Sequence, residues 1–206
     1  MKNIKIMLFA LVLSAFGLSS AQAGQFGVGV TGSMAVIEAS GTEKDTDGSA
    51  DTSVRDATAS NNAGIGSVFG EYSMDNGFTI GVDYIPGSAD VNQKNLKRTD
   101  DSFEAAQDGD RTAQATVENH ITVYAEIPLH AGLYVKGGYT EMDVNTKESF
   151  SGTGNNTYGN STVDGVLYGL GYKNSFGSNG FYKVEGSHTA YDTLSVTSTK
   201  SVSTGD

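Results

Sequence analysis

Residues 77–86 read GFTIGVDYIP, and from Phe78 the apolar side chains fall on every second position. Phe78, Ile80, Val82 and Tyr84 share one side; Thr79, Gly81, Asp83 and Ile85 share the other. Period two is the signature of a β-strand with unlike faces. Six more stretches share it: residues 26–36, 64–74, 117–127, 133–144, 163–173 and 181–191. Helical period is absent throughout, so the chain must fold as a sheet with one apolar and one polar face.

The gaps between stretches alternate in length. Three are short turns, at Asp75-Asn76-Gly77, residues 128–132 and residues 177–180. The others, residues 38–62, 92–112, 149–161 and from 192 onward, are long and polar and are expected to be loops. Asn-Gly and related pairs tolerate tight hairpin turns. Such a rhythm describes consecutive hairpins with a short-turn end and a long-loop end. No motif repeats between stretches, which argues against a solenoid.

Pairing Ile127 with Val135 sets Glu126 opposite Lys136 on the polar face. Pairing Phe176 with Tyr182 sets Lys173 opposite Glu185. Opposite charges as cross-strand neighbours favour both registers. The apolar face carries aromatic residues in two belts. Tyr72, Phe78, Tyr172 and Tyr182 lie near short turns, and Tyr84, Tyr139 and Tyr168 lie further along. Six to nine residues of tilted strand span roughly 15–20 Å. Between the belts sit Ile80, Val82, Val135, Leu170 and Val184; past Tyr139 the same face carries Glu141 and Asp143. An apolar band with aromatic rims is what a bilayer asks of a transmembrane β-barrel.

Composition agrees. Apolar content is 37%, low for a thick soluble core, and there are 27 glycines but two prolines. A formal net charge of −11 argues against nucleic acid as a partner. With no cysteine, disulfides, thiolate nucleophiles and Cys-type zinc sites are excluded. Residues 1–23 read as a Sec-type signal peptide: Lys2 and Lys5, an apolar run over residues 6–18, then Ala21-Gln22-Ala23. The run is short for a spanning helix. The expected cut lies between Ala23 and Gly24, and loss of Lys2 and Lys5 takes the net charge from −11 to −13.

The GVGV opening, the strands VLYGLGY and LYVKGGY, and the turn-short, loop-long order resemble the small outer-membrane β-barrels of Gram-negative bacteria, of the OmpA, OmpX and opacity-protein kind. That resemblance implies an all-β, antiparallel up-and-down transmembrane barrel of eight strands over residues 24–206. Short turns and termini would lie in the periplasm, with long loops outside. It implies a filled interior without a wide channel, and lipid, lipopolysaccharide and the barrel-assembly machinery as partners. Two features depart from it: tryptophan is absent, and seven strands are counted where barrels of this kind have even numbers. A missing C-terminal strand is the expected explanation.

Seven charged residues share the polar face: Glu71, Asp83, Glu126, Lys136, Lys173, Lys183 and Glu185. In a narrow interior they are expected to satisfy one another; ion gating is the alternative. Asp45, Asp47, Gly48 and Asp51 resemble half of a calcium loop, but a third ligand before the glycine and a terminal Glu are lacking, so a solvated acidic loop is expected. His120, His130 and His188 suggest no catalytic triad with serine and aspartate. Asn155-x-Thr157 and Asn160-x-Thr162 match a glycosylation acceptor, irrelevant to a bacterial outer membrane. No cofactor, metal or catalysis is expected. The reading is a structural, surface-displaying barrel whose polar loops could hold a surface ligand. The alternatives are a narrow pore for small solutes and a soluble periplasmic lipocalin-like barrel with the apolar face inward.

Overall fold

A computed structural model describes residues 2–19, 24–46, 52–91, 96–100, 109–150, 156–157, 159–196 and 199–200. The elements are all strands: β1 (Lys2–Ser19), β2 (Gln25–Thr46), β3 (Thr52–Ser73), β4 (Thr79–Asp90), β5 (Leu96–Asp100), β6 (Gly109–Pro128), β7 (Leu133–Phe150), β8 (Asn156–Thr157), β9 (Ser161–Phe176), β10 (Gly180–Tyr191), β11 (Leu194–Val196) and β12 (Thr199–Lys200). The seven alternating stretches are the hearts of β2, β3, β4, β6, β7, β9 and β10. Each pairs antiparallel with the next, in the order β2-β3-β4-β6-β7-β9-β10. This is an all-β, up-and-down barrel wall.

The wall closes through the segment that reads as a signal peptide. β1 runs between the two edges, pairing with β2 from Lys2–Glu43 to Ser19–Gly27 and with β10 from Met7–Ala190 to Leu18–Gly180. Its apolar run thus satisfies the backbone groups that β2 and β10 would otherwise leave as open edges. β5 adds to β6 beyond the end of β4, β11 adds to β1, and β8 pairs with β12.

Two expectations need correction. Most of residues 38–62 is not loop: the β2–β3 ladder continues from Glu38–Ser60 to Thr46–Thr52. β6 and β7 likewise stay paired to Arg111–Phe150, and β5 lies inside the second expected gap. Ser, Thr and Ala suit a two-sided ladder, and no proline interrupts β2 or β3, so pairing is the simplest way to satisfy the backbone. Second, the β9–β10 register is two residues tighter than the charges suggested. Phe176 pairs with Gly180 and Lys173 with Lys183. Gly177, at φ 60°, makes the tighter turn accessible. The β6–β7 hairpin has the expected register, with Ile127 opposite Val135 and Glu126 opposite Lys136.

Inside the ring the side chains form two layers. Towards the short turns lie charges and tyrosines. Towards the long hairpins lies an apolar cluster of Ile37, Val91, Met142, Val144, Val163, Tyr191 and Leu194. The outward face is apolar: Val28 is 62% exposed, Val123 58% and Leu170 55%. Among the described residues no helix is long and apolar enough to cross a membrane.

Candidate functional site

The charged layer follows from strand parity. Glu71 (β3), Asp83 (β4), Glu126 (β6), Lys136 (β7), Lys173 (β9), and Lys183 and Glu185 (β10) all occupy inward positions, so seven residues scattered over 115 positions converge. Glu71, Glu126, Lys183 and Glu185 are buried. Buried charges are tolerable only when paired. Lys183 meets this by bonding Glu71 and, at 2.6 Å, Glu126. Lys173 reaches Glu71 at 2.6 Å, and Lys136 reaches Glu185 at 3.1 Å. Asp83 accepts from the Ser67 hydroxyl at 2.8 Å. The expected pairs Glu126–Lys136 and Lys173–Glu185 are therefore exchanged for partners across the barrel. A narrow ring brings opposite walls as close as adjacent strands.

Two tyrosines complete the layer. The Tyr124 hydroxyl donates to Glu71 and that of Tyr134 to Glu185, each at 3.0 Å. Their rings lie over glycines of neighbouring strands. A Cβ on Gly81 would sit 2.4 Å from the Tyr124 ring, and one on Gly171 2.2 Å from the Tyr134 ring. Lys136 Nζ lies 4.1 Å from the Tyr124 ring centre, a cation–π contact. The layer separates a cavity of about 470 Å³ at the short-turn end, reaching Glu126 and Lys173, from one of about 70 Å³ bounded by Asp83, Lys136, Lys183 and Glu185.

Above it, His120 Nε2 lies 2.7 Å from the Tyr191 hydroxyl and 2.9 Å from Thr140 Oγ1. Its Nδ1 is buried with no partner among the described residues. Sequence alone hides the Tyr191 partner, because β10 meets β6 only across the ring; Thr140 lies on the adjacent strand β7. On the outward face past Tyr139, Asn119 and Thr162 donate to Asp143 at 2.9 and 3.0 Å, holding its carboxyl below the usual aspartate value. The arrangement can fill, neutralise and seal an interior. Among the described residues no serine hydrogen-bonds His120, as a nucleophile would require.

The belt residues Tyr72, Tyr84, Tyr139, Tyr168, Tyr172 and Tyr182 sit on the outward side of their strands, and Phe78 lies just before β4. Tyr139 and Tyr168 are among the most exposed, and Tyr72 packs on Phe26 and Tyr172 on Tyr182. His188 stacks on Tyr168 outside, and His130 lies in the β6–β7 turn. A lipocalin-like inversion would turn Glu126 and Lys136 outward; both point inward. Asp47, Gly48 and Asp51, Ala23 of the expected cleavage site, and Asn155 lie outside the described residues. Gly24, beside the expected cut, adopts φ 75° and donates its backbone N–H to Asp75 Oδ1 at 3.2 Å. Among the described residues no His, Cys, Asp and Glu group could hold a metal ion.

No family model matches the chain, and no curated protein does. Among solved structures it is similar to the translocator domain of the autotransporter NalP from Neisseria meningitidis, at 11% identity, covering 93% of this chain and 88% of that one, with a TM-score of 0.27. It is also similar to the InvG secretin-domain β-barrel of the Salmonella SPI-1 injectisome, at 8% identity, covering 100% of this chain and 65% of that one, with a TM-score of 0.17. Likenesses this loose add nothing to the ladders themselves, and the chain's architecture, an antiparallel up-and-down β-barrel wall around a charged interior, rests on the ladders.

Proposed function

We propose that this chain is a small outer-membrane β-barrel that anchors and displays its long acidic hairpins at the cell surface, without catalysis and without a cofactor. One observation carries the reading: the apolar faces look outward around a paired, buried charge layer. A soluble protein has no reason to spend its apolar surface on water while burying lysines. A bilayer makes the same arrangement favourable, since lipid covers the outside and charge is confined to the interior. OmpA-like membership is the finer form of this proposal, supported by the turn and loop rhythm. Lipopolysaccharide and the assembly machinery are then its partners, and a surface ligand would meet the hairpins.

Export would use the Lys2–Ser19 segment as a cleaved signal. Cleavage before Gly24 would place the new N-terminal amine beside the Asp75 carboxylate, a favourable pairing. It would also free the β2 and β10 edges for another strand. The narrow-pore alternative is opposed by the charge layer between the two cavities. Planar-bilayer recording tests the choice. A sealed barrel gives no steady openings, whereas reproducible ohmic steps would establish the pore instead.

A further inference from the structure

β3 and β4 are paired only from Ser73–Thr79 to Val68–Tyr84. Beyond that level β3 continues with β2, and β4 continues with β6 to Asp90–Thr116. Among the described residues no ladder pair joins β3 to β4 there. The cause is local. Pro86 lacks an N–H, Gly87 takes φ 91°, and the β4–β6 register shifts between Ile85 and Ser88. On β6 a second shift, between Glu118 and Ile121, includes Asn119 at φ 52°. Two bulges side by side bend β4 away from β3. The gap spans roughly 20 Å of strand. Its lower end is Val68–Tyr84, and its upper end is one bond from Asn61 Nδ2 to the Asp90 carbonyl at 2.7 Å.

Behind the gap lies a cavity of about 110 Å³, lined by Ile37, Ile65, Ile85, Val117, Met142 and Tyr191 among others. Gly64, Gly66 and Gly87 also border it; Cβ atoms on Gly64 and Gly87 would meet nothing within 4 Å, and one on Gly66 only a carbonyl oxygen at 3.8 Å. The lips are thus largely bare backbone, and the chamber is mostly apolar, with Ser88, Glu118 and His120 also on its wall. The outward neighbours Met34 and Val36 are still exposed and apolar at this height, so the gap opens at the edge of the apolar band.

We infer that this gap is a lateral portal through which the end of one acyl chain of an outer-leaflet lipid enters the barrel. The inference rests on the membrane reading above. A lipid fits both parts of the site. Its chain suits a mostly apolar chamber, and its polar head can bond lips that lack ladder partners. The chamber is smaller than the roughly 150 Å³ cavity that admits benzene, so it suits a few methylenes of a straight chain and not a ring system.

Methionine methyl groups provide the test. Met34 is 59% exposed on the outward face and Met142 is 3% exposed in the chamber. The full chain, labelled with 13C-methyl methionine in a deuterated background, is placed in nanodiscs of protonated dimyristoyl phosphatidylcholine. Contact NOEs from chain methylenes are expected at both methyls. Ala89→Phe, which fills the chamber, and a disulfide across the gap from Gly64→Cys with Ser88→Cys should each abolish the Met142 contact and leave that of Met34. The cysteine-free background makes the disulfide unambiguous. Contact at Met34 alone in the unmodified chain overturns the portal but not the membrane reading. Contact at neither overturns both. Contact at Met142 that survives both variants overturns entry through this gap.

Discussion

Lys173 and Lys183 stand directly opposite each other in the β9–β10 ladder, and both bond Glu71 on the facing wall. Two like charges as cross-strand neighbours are ordinarily repulsive. Here the register is held by a carboxylate that lies 102 and 112 positions away in sequence. Glu71 is therefore the residue on which the charge layer turns.

Glu71→Gln should leave two lysines facing each other with one partner between them. Breaking one member of a buried ionic group typically costs about 3–5 kcal/mol. Urea unfolding of the refolded barrel in detergent micelles checks this. Adding Lys173→Gln to Glu71→Gln should recover part of the loss, because Lys173 loses its carboxylate partner when Glu71 is neutralised, whereas Lys183 keeps Glu126.

Gly171→Ala should be destabilising by about 1–3 kcal/mol, the usual cost of overpacking, since the added Cβ would overlap the Tyr134 ring. Gly186→Ala is the control, because a Cβ there meets nothing within 4 Å. The same unfolding measurement reads both. Equal effects would show that the tyrosine does not rest on Gly171.

Asp143 has a depressed folded-state value because Asn119 and Thr162 donate to it. A depressed carboxyl stabilises the fold above its unfolded value, near 3.9, and that contribution is lost as pH falls through the lower folded value. NMR titration of Asp143 should place its inflection below that of an unperturbed aspartate. Asn119→Ala should move it upward.

The mass of the protein recovered from outer membranes should correspond to a chain starting at Gly24. Recovery with Lys2–Ser19 still attached would make β1 the resident closing strand. Asp75→Asn should leave cleavage unchanged while loosening the new N-terminus, read as faster amide exchange at Gln25.

The sequence made the wall legible where period two is strict and turns are short. The faces of β4 and the register of β6 with β7 are fixed by neighbours in the chain. It misleads where local charge stands in for distant charge: the hairpin offers Glu185 to Lys173, while Glu71 is remote in sequence. Ser, Thr, Asn and Asp dominate the hairpin extensions and point to loops, yet Ala39 packs against the apolar cluster, as do Ile37 and Ala63 at the edges of that span. The parity slip at Asn119, which turns both Val117 and His120 inward, has a faint signal in the Pro86-Gly87 pair on the adjacent strand. It needs the paired strand to be seen.

The central claim is that the face carrying Ile80, Val82 and Tyr84 looks at lipid. Nitroxides placed singly at positions 79–84, on cysteines introduced into a chain that has none, report this in phosphatidylcholine vesicles. Collision with oxygen, which concentrates in lipid, should peak at 80, 82 and 84, and a water-soluble nickel chelate should be excluded there. Peaks of nickel access at those same positions would contradict the account.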